Sequence, residues 1–468
     1  MPGHVDALDS FEITGWALER DNRTPDRVTI YIDDKEVAQI PCNLPRPDLQ
    51  NVGLGTGYGG FKYLFLECVG AANPQKVVVR AQSSGEILPH TIGKEVNWVG
   101  TTITLARSAL GAASFGQPIY AADPRSIIRD GEQSLIVAAS ALAPRDAILD
   151  VVPAADAEGV AISQLESSDV PIASLPDGTP NFRDLRFRVT AMTPPRNRYI
   201  GFNLIDQNRE SRDYGLNPVN PAACMCIPVG DDWLTAPGVK NYERTCGPAS
   251  SVPPSFNISG VSIAYQLHSL ADRFLPDVSR PLTILDWGIG CGRVAVPLKR
   301  GMNPNAQVIG VDVDRFNAEW CMEHLSDIKT SICDFFPPLE FPACSIDMIY
   351  GISVMTHLTQ GTQFAWLKEI RRVLKPGGIC VLTTHGEYAF LIHNFLDRYV
   401  INQLASIGIS DITVDANLGP KLEFEKYYRG TFQLRRQVED QWSKFLNLIA
   451  YYPAGLQVFQ DIVVMRKE

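Results

Sequence analysis

The sequence predicts a multidomain protein in which β-sandwich modules precede an α/β doubly wound domain. Three observations carry that reading. The chain has 468 residues, more than a single domain usually holds, so two to four domains are expected. Its first hundred or so residues are short alternating segments separated by Gly- and Pro-rich turns. From about residue 240 strand-like and helix-like stretches alternate, the rhythm of parallel strands joined by crossover helices.

Taken in order, residues 1–102 form the first β module. The run VTIYIDDKEVAQI is two alternating strands around an Asp-Asp-Lys turn, a hairpin signal. GFKYLFLE and KVVVRAQ are further short strands, with turns such as GLGTGYGG between them. Residues 103–238 are expected to be a second β-rich domain and linker, with strands in QSLIVAASAL, LRFRVTAM and NRYIGFNLI. The stretch GLNPVNPAACMCIPVGDDW is rich in Pro and Gly and reads as a linker or wrapping segment. Residues 239–468 hold the doubly wound domain. LTILD, AQVIGVD, IDMIY and GICVLTT are its strands; GRVAVPLKR, RFNAEWCMEHL, TQFAWLKEIRRVL and EYAFLIHNFLDRYV are its helices. LQVFQDIVVMRKE reads as a final strand.

Composition narrows the function. The net charge is −10 and no basic run stands out, which argues against nucleic acid as the partner. The start, MPGHVDALDSFEITGW, has no basic segment followed by an apolar core, which argues against a signal peptide, and no run of about 18 apolar residues predicts a membrane span. None of the ten cysteines forms a CxxC pair; Cys224 and Cys226 make a lone CxC far from any histidine, so no metal site is expected. Reduced cysteines and a cytoplasmic location are the default expectation.

The chemistry concentrates in ILDWGIGCGRVAV. Glycines stand at 288, 290 and 292, directly after a strand that ends on Asp286. In a doubly wound sheet such a turn is a ligand site, because glycine adopts backbone angles closed to other residues and lets a ligand approach the main chain. The DxGxGxG spacing differs from the GxGxxG of dinucleotide binders, since position 293 is Arg. Asp312, at the tip of the next strand in VIGVDVD, can accept hydrogen bonds from both hydroxyls of a ribose. Asp314 competes for that role but already lies past the strand, where it can cap a helix. Asp334, in ICDFF, falls where an adenine amino group would lie, or serves only as a turn residue.

Together ILDWGIGCGR, VIGVD, ICDFF, IDMIYGISVMTHL and RRVLKPGGICVLTTHG resemble the class I S-adenosylmethionine-dependent methyltransferases, in their order along the chain. The resemblance covers roughly residues 240–468 and is nearest to bacterial enzymes of surface-polysaccharide biosynthesis. It implies a Rossmann-like domain with a mixed seven-stranded sheet and S-adenosylmethionine as cofactor. It would put Gly288, Gly290 and Gly292 along the methionine part, Asp286 near its ammonium, Asp312 at the ribose, Cys333 and Asp334 beside adenine, and Gly351 and Ile352 beside the sulfonium, with Val313 also at the cofactor. Arg244, in NYERTCG ahead of the first strand, would close over the cofactor carboxylate or stay a surface arginine. Ile289 departs from the family, which more often has cysteine there. Upstream, ITGWALE, IDDKEVAQI, RPDL and YGGFKYLF are similar to a β-sandwich module attached to bacterial glycosyltransferases.

The resemblance implies methyl transfer to a sugar, glycan, nucleotide-sugar or other small hydroxyl acceptor, with glycan-assembly enzymes as candidate partners. Two histidines stand at ligand-side strand ends. His385, in LTTHGEY, is the first candidate for the base that activates the acceptor; His357, in VMTHLTQ, is the second, with loop bracing as its plainer role. Tyr388, Tyr427, Tyr428 and Arg429 are candidates for the acceptor pocket. No acid cluster follows the fourth strand, so the metal-dependent type is not expected. A cofactor-binding scaffold for glycan assembly, a methyltransferase for a small molecule or a protein, and a nicotinamide-dependent oxidoreductase are the competing functions.

Overall fold

The structure is a computed structural model; it describes residues 3–8, 12–64, 75–92, 95–97, 101–103, 120–131, 133–144, 147–169, 180–191, 197–208, 221–392, 400, 403–404, 407–414 and 427–468. The chain divides into two compact units, Met1–Pro118 with Asp169–Phe182, and Ile119–Ser168 with Arg183–Glu468.

In the first unit six strands form one sheet, in the order Leu44–Pro45, Tyr58–Leu64, Glu12–Ala17, Gly3–Leu8, His90–Ile92, Glu95–Asn97. Four form another, in the order Thr101–Ile103, Gln75–Ala81, Arg27–Ile32, Lys35–Pro41. Ile13, Phe61 and Tyr63 of the first sheet share one core with Val28, Ile30, Val77 and Val79 of the second. The expected hairpin is present. Its turn is Asp33–Asp34, with φ of 49° and 64°, because a two-residue turn that continues the strand twist needs both residues left-handed.

The second unit begins with two further sheets. Ala121–Arg129, Ser134–Pro144, Pro180–Ala191 and Val160–Asp169 form a four-stranded one, and Leu149–Pro153, Tyr199–Asp206 and Cys224–Pro228 a three-stranded one. Phe187 of the first meets Phe202 of the second edge to face, ring centroids 5.5 Å apart. Here the structure corrects the reading of CMCIP as linker: it is a strand, antiparallel to Tyr199–Asp206. Its two faces serve two cores. Met225 and Ile227 point into the core between the two sheets. Cys224 and Cys226 point the other way, against Val261, Ala264 and Tyr265 of a helix in the C-terminal region. This strand joins residues 119–168 and 183–228 to the C-terminal region in one unit, so the chain does not divide at the expected 238/239.

The C-terminal region holds a seven-stranded sheet, whose strands we number β1 (Thr283–Trp287), β2 (Gln307–Asp312), β3 (Lys329–Ile332), β4 (Ile346–Gly351), β5 (Leu374–Thr384), β6 (Asn447–Leu456) and β7 (Gln460–Arg466). Their order is β3-β2-β1-β4-β5-β7-β6, with β7 antiparallel to both neighbours. The sheet is therefore mixed, as expected. Its helices include α1 (Val239–Cys246), α2 (Ser255–Phe274), α3 (Arg315–His324), α4 (Gln360–Val373), α5 (Glu387–Ile392) and α6 (Arg435–Trp442). Successive residues of β1 serve opposite faces, Ile284 in the core that includes α2 and Leu285 in the core that includes α4. A sheet covered on both sides reads as a continuous apolar run, which is why LTILD and IDMIY carry no alternation.

At the opposite end of the strands from the glycine turn, Asp347 is buried and accepts hydrogen bonds from Arg280 Nη2 (2.5 Å), Lys375 Nζ (2.8 Å) and the Thr283 N–H (2.9 Å). Burial alone would raise its pKa, but these donors outweigh it and hold the carboxyl below its usual range. A depressed pKa stabilises the fold above the unfolded value, and that contribution is lost as pH falls through the folded one. Asp347→Asn is thus expected to cost about 1–3 kcal/mol at pH 7, discounted for the partly exposed cations, and to leave less to lose below pH 4. Urea titrations of both proteins at pH 7 and pH 3.5 measure this; equal losses at both pH values would contradict it.

Candidate functional site

The strand ends β1, β2 and β4 open onto a cleft, which places it where parallel sheets bind ligands. Arg244, Gly288, Gly290, Asp312, Val313, Cys333, Ile352, His357, Tyr427 and Tyr428, ten of the positions singled out from sequence, are on its wall.

The turn after β1 explains the alternate glycines. Gly288, Gly290 and Gly292 have φ of +87°, +55° and +77°, the left-handed region. Space excludes a side chain as well. A Cβ on Gly288 would lie 2.6 Å from Val354 Cγ2, and one on Gly290 would lie 2.9 Å from Thr245 Cγ2. Gly292 is not on the cleft wall; its Cβ would meet Leu325 at 2.5 Å, so it serves packing. Ile289 turns away from the cleft into the core, over Gly310, whose Cβ would come 2.2 Å from its Cδ1. That orientation is why an isoleucine fits between the glycines without touching the cleft.

Asp286 does not line the cleft. It is buried behind the turn, where it accepts a hydrogen bond from Tyr350 Oη at 2.9 Å, and burial pushes its pKa up to about 8. Asp312, at the tip of β2, does line it. Its Oδ2 accepts the Gly290 N–H at 2.7 Å and its Oδ1 the Asp314 N–H at 2.8 Å. Burial raises its pKa to about 6, against the pull of those two donors. The carboxylate thus ties the tip of β2 to the glycine turn. Cys333 borders the same end and its thiol is pushed up to about 12 by burial. Asp334 is exposed and off the cleft wall. Gly351 lies below the floor, where a Cβ would sit 2.7 Å from Trp287 Cε3.

Helix α1 lies along the glycine turn and the start of α3. Arg244 grips Asp314 with a fork, Nε to Oδ2 at 2.7 Å and Nη2 to Oδ1 at 2.6 Å, and packs over Phe316. Asp314 also caps α3 by accepting from the Phe316 N–H. Asn241 donates to Asn317 Oδ1 at 3.0 Å, and Asn317 donates to Thr245 Oγ1 at 3.1 Å.

The far wall is aromatic: Trp287, Trp366, Tyr427, Tyr428 and His357. Trp287 and Trp366 lie 4.8 Å apart, and Tyr427 donates to the Phe335 carbonyl at 2.6 Å. His357 sits on a turn after β4. Its Nδ1 is 3.1 Å from the Arg429 carbonyl oxygen, and its ring is 5.4 Å from that of Tyr428. A carbonyl only accepts, so Nδ1 carries a proton, which in the neutral ring makes Nε2 the acceptor nitrogen. His385 is not on the wall; its ring stands between Phe432 and Phe459, at 5.1 and 5.2 Å. Tyr388 is buried away from the cleft, and Arg429 contributes its carbonyl, not its guanidinium.

Sequence reasoning missed Trp287, Thr245, Asn317, Ser353, Val354, Leu358 and Trp366, all on the wall. Trp287 and Thr245 stood inside quoted motifs. Ser353 carried no signal: its φ of +58° appears only in the structure, where Thr383 Oγ1 accepts its N–H at 2.7 Å and its hydroxyl pairs with Gln460.

Residues 284–378, from β1 to the LKPGG turn, match the family model of a methyltransferase domain. Among solved structures, the chain is similar to an S-adenosylmethionine-dependent methyltransferase from Methanosarcina mazei (15% identity, 42% of this chain and 96% of that one, TM-score 0.32). It is similar to another from Mesorhizobium loti (15%, 42% and 96%, TM-score 0.30). It is also similar to human N-acetylserotonin methyltransferase in complex with S-adenosylmethionine (17%, 48% and 62%, TM-score 0.29). The C-terminal region thus carries a match to a methyltransferase domain, for which the sequence resemblance implies S-adenosylmethionine as cofactor. The cleft fits that cofactor on its own terms: a glycine cradle that any Cβ would fill, and a buried carboxylate at the tip of β2.

Proposed function

We propose that the protein O-methylates a sugar hydroxyl, on a glycan or a nucleotide-linked sugar, in bacterial polysaccharide biosynthesis in the cytoplasm. The observation that carries this reading is the pairing of one fixed imidazole with an aromatic wall. Tyr428, half-buried on the wall, offers a flat face on which the C–H face of a sugar ring can pack, and the His357 ring stands 5.4 Å from it.

Gly288 and Gly290 would hold the methionine part of S-adenosylmethionine by close backbone approach, Asp312 its ribose hydroxyls, and Val313 and Cys333 would border the adenine. Arg244 and α1 would close that end, with Asp286 bracing the turn from behind through Tyr350. When bound, the cofactor supplies a methyl group on a sulfonium, already activated toward attack. What remains for the protein is to place the acceptor oxygen in line and to take its proton. The Arg429 carbonyl fixes the His357 tautomer, so that Nε2 has a lone pair for the hydroxyl proton.

The test is transfer of labelled methyl from S-adenosylmethionine to three acceptor sets: nucleotide sugars, soluble polysaccharides, and a peptide mixture. Label stable to alkali and released with O-methyl sugars on acid hydrolysis is the expected result. Label only in the peptide set, or none in any set from a chain that binds the cofactor, would overturn the sugar reading.

A further inference from the structure

The outer face of the six-stranded sheet in the N-terminal unit carries side chains that methyl transfer does not use. Side chains alternate across a strand. Ile13, Ala17, Phe61 and Tyr63 point into the core. Thr14, Trp16, Tyr58 and Lys62 therefore point outward. The register sets Trp16 opposite both His4 and Gly60, and Thr14 opposite Lys62.

A chain of polar groups runs across that face. His4 Nε2 is 3.1 Å from Thr91 Oγ1, and His4 Nδ1 is 3.3 Å from Asp6 Oδ1. Arg46 Nη1 donates to Asp6 Oδ2 at 2.6 Å, while its Nε and Nη2 grip Asp48 at 2.8 and 2.6 Å. Arg46 enters from the edge strand and reaches Asp6 over the intervening strands. Gly60 makes room: a Cβ there would lie 3.0 Å from Arg46 Cγ. Tyr58 is 52% exposed, Trp16 is half-buried, and the Arg46 side chain keeps 20% of its surface.

Ion pairs this exposed add little to stability, so folding does not account for the arrangement. Its chemistry does. Two aromatic side chains share that face with a row of oriented donors and acceptors. Among the described side chains of this face the cations Arg46 and Lys62 match the anions Asp6 and Asp48 in number, so those side chains together give no net attraction for a charged ligand. A neutral polyhydroxyl ligand meets both demands, its C–H faces on the rings and its hydroxyl pairs on the carboxylates, guanidinium and imidazole.

We infer that this face, built on Trp16, Tyr58, His4, Asp6 and Arg46, binds a neutral polysaccharide chain. The site shares no residue with the cofactor cleft, so it stands or falls apart from the methyl-transfer reading. Affinity electrophoresis of the full chain through gels holding dextran, mannan or the polyanion alginate tests it. Retardation by dextran or mannan is expected, with the dissociation constant raised about tenfold or more in Trp16→Ala and in Arg46→Ala. Tyr58→Ala, at an exposed position that leaves the core intact, should weaken it as well, whereas Asp312→Ala should not. No retardation by either neutral polymer, retardation by alginate alone, or equal retardation of the wild type, Trp16→Ala and Tyr58→Ala would overturn the inference.

Discussion

Replacing His357 with alanine is expected to lower methyl transfer by about 10²–10⁴-fold while leaving the affinity for S-adenosylmethionine within about a factor of three. The reason is geometric. The ring stands on the aromatic wall, at a distance along the chain from the glycine turn, and its Nδ1 is engaged by the Arg429 carbonyl. Loss of the imidazole removes the proton acceptor and leaves the cofactor cradle whole. His357→Gln should recover little, since an amide cannot take the proton. His385→Ala should do much less, because that ring packs between Phe432 and Phe459, off the cleft wall. Turnover and cofactor titration on the three variants decide it; a larger loss for His385→Ala than for His357→Ala would reverse the assignment.

Asp312→Ala is expected to weaken S-adenosylmethionine binding by roughly 100-fold, since hydrogen bonds from two ribose hydroxyls to a buried carboxylate are worth about 3 kcal/mol together. Part of the loss comes through the turn, as the Gly290 N–H would also lose its acceptor. Asp312→Asn keeps an acceptor oxygen and should fall between. The same carboxyl sets a pH dependence. Its pKa in the ligand-free protein is raised to about 6, chiefly by burial, and in the proposed role the ribose hydroxyls would donate to its ionised form. Affinity should therefore fall as pH drops through 6 and level off above it, with a proton released on binding near that pH. Calorimetry at pH 5, 6 and 8 reads both; affinity unchanged from pH 8 to pH 5 would contradict the ribose role.

How much of the molecule is legible in its sequence depends on how local each constraint is. The glycine turn was legible because three left-handed φ values at alternate positions leave three glycines. Asp312 was legible because a strand tip fixes where a carboxylate lies. His385 was ranked ahead of His357, although each comes after a strand in the same way; what separates them, and puts His357 on the cleft wall instead, is the segment from Tyr427 to Phe432, which arrives from far along the chain. Asp334 was placed one step from Cys333, and the side that faces the cleft proved to be that of the cysteine. The strand Cys224–Pro228 escaped because its two faces are both apolar and its flanks carry proline, so that only the second core, on α2, reveals it. Trp287 ends β1 and Trp366 lies in α4, and their rings meet at 4.8 Å, a contact no local pattern announces.

Those two indoles also provide the most direct test of the central claim, that this cleft is an S-adenosylmethionine site. Both line it, so occupancy should change their emission. Titrating the full chain with S-adenosylmethionine while monitoring tryptophan fluorescence should give a saturable, micromolar transition, absent from Gly290→Val and unaffected by excess nicotinamide dinucleotide. No saturable transition, or one that the dinucleotide abolishes, would contradict the account.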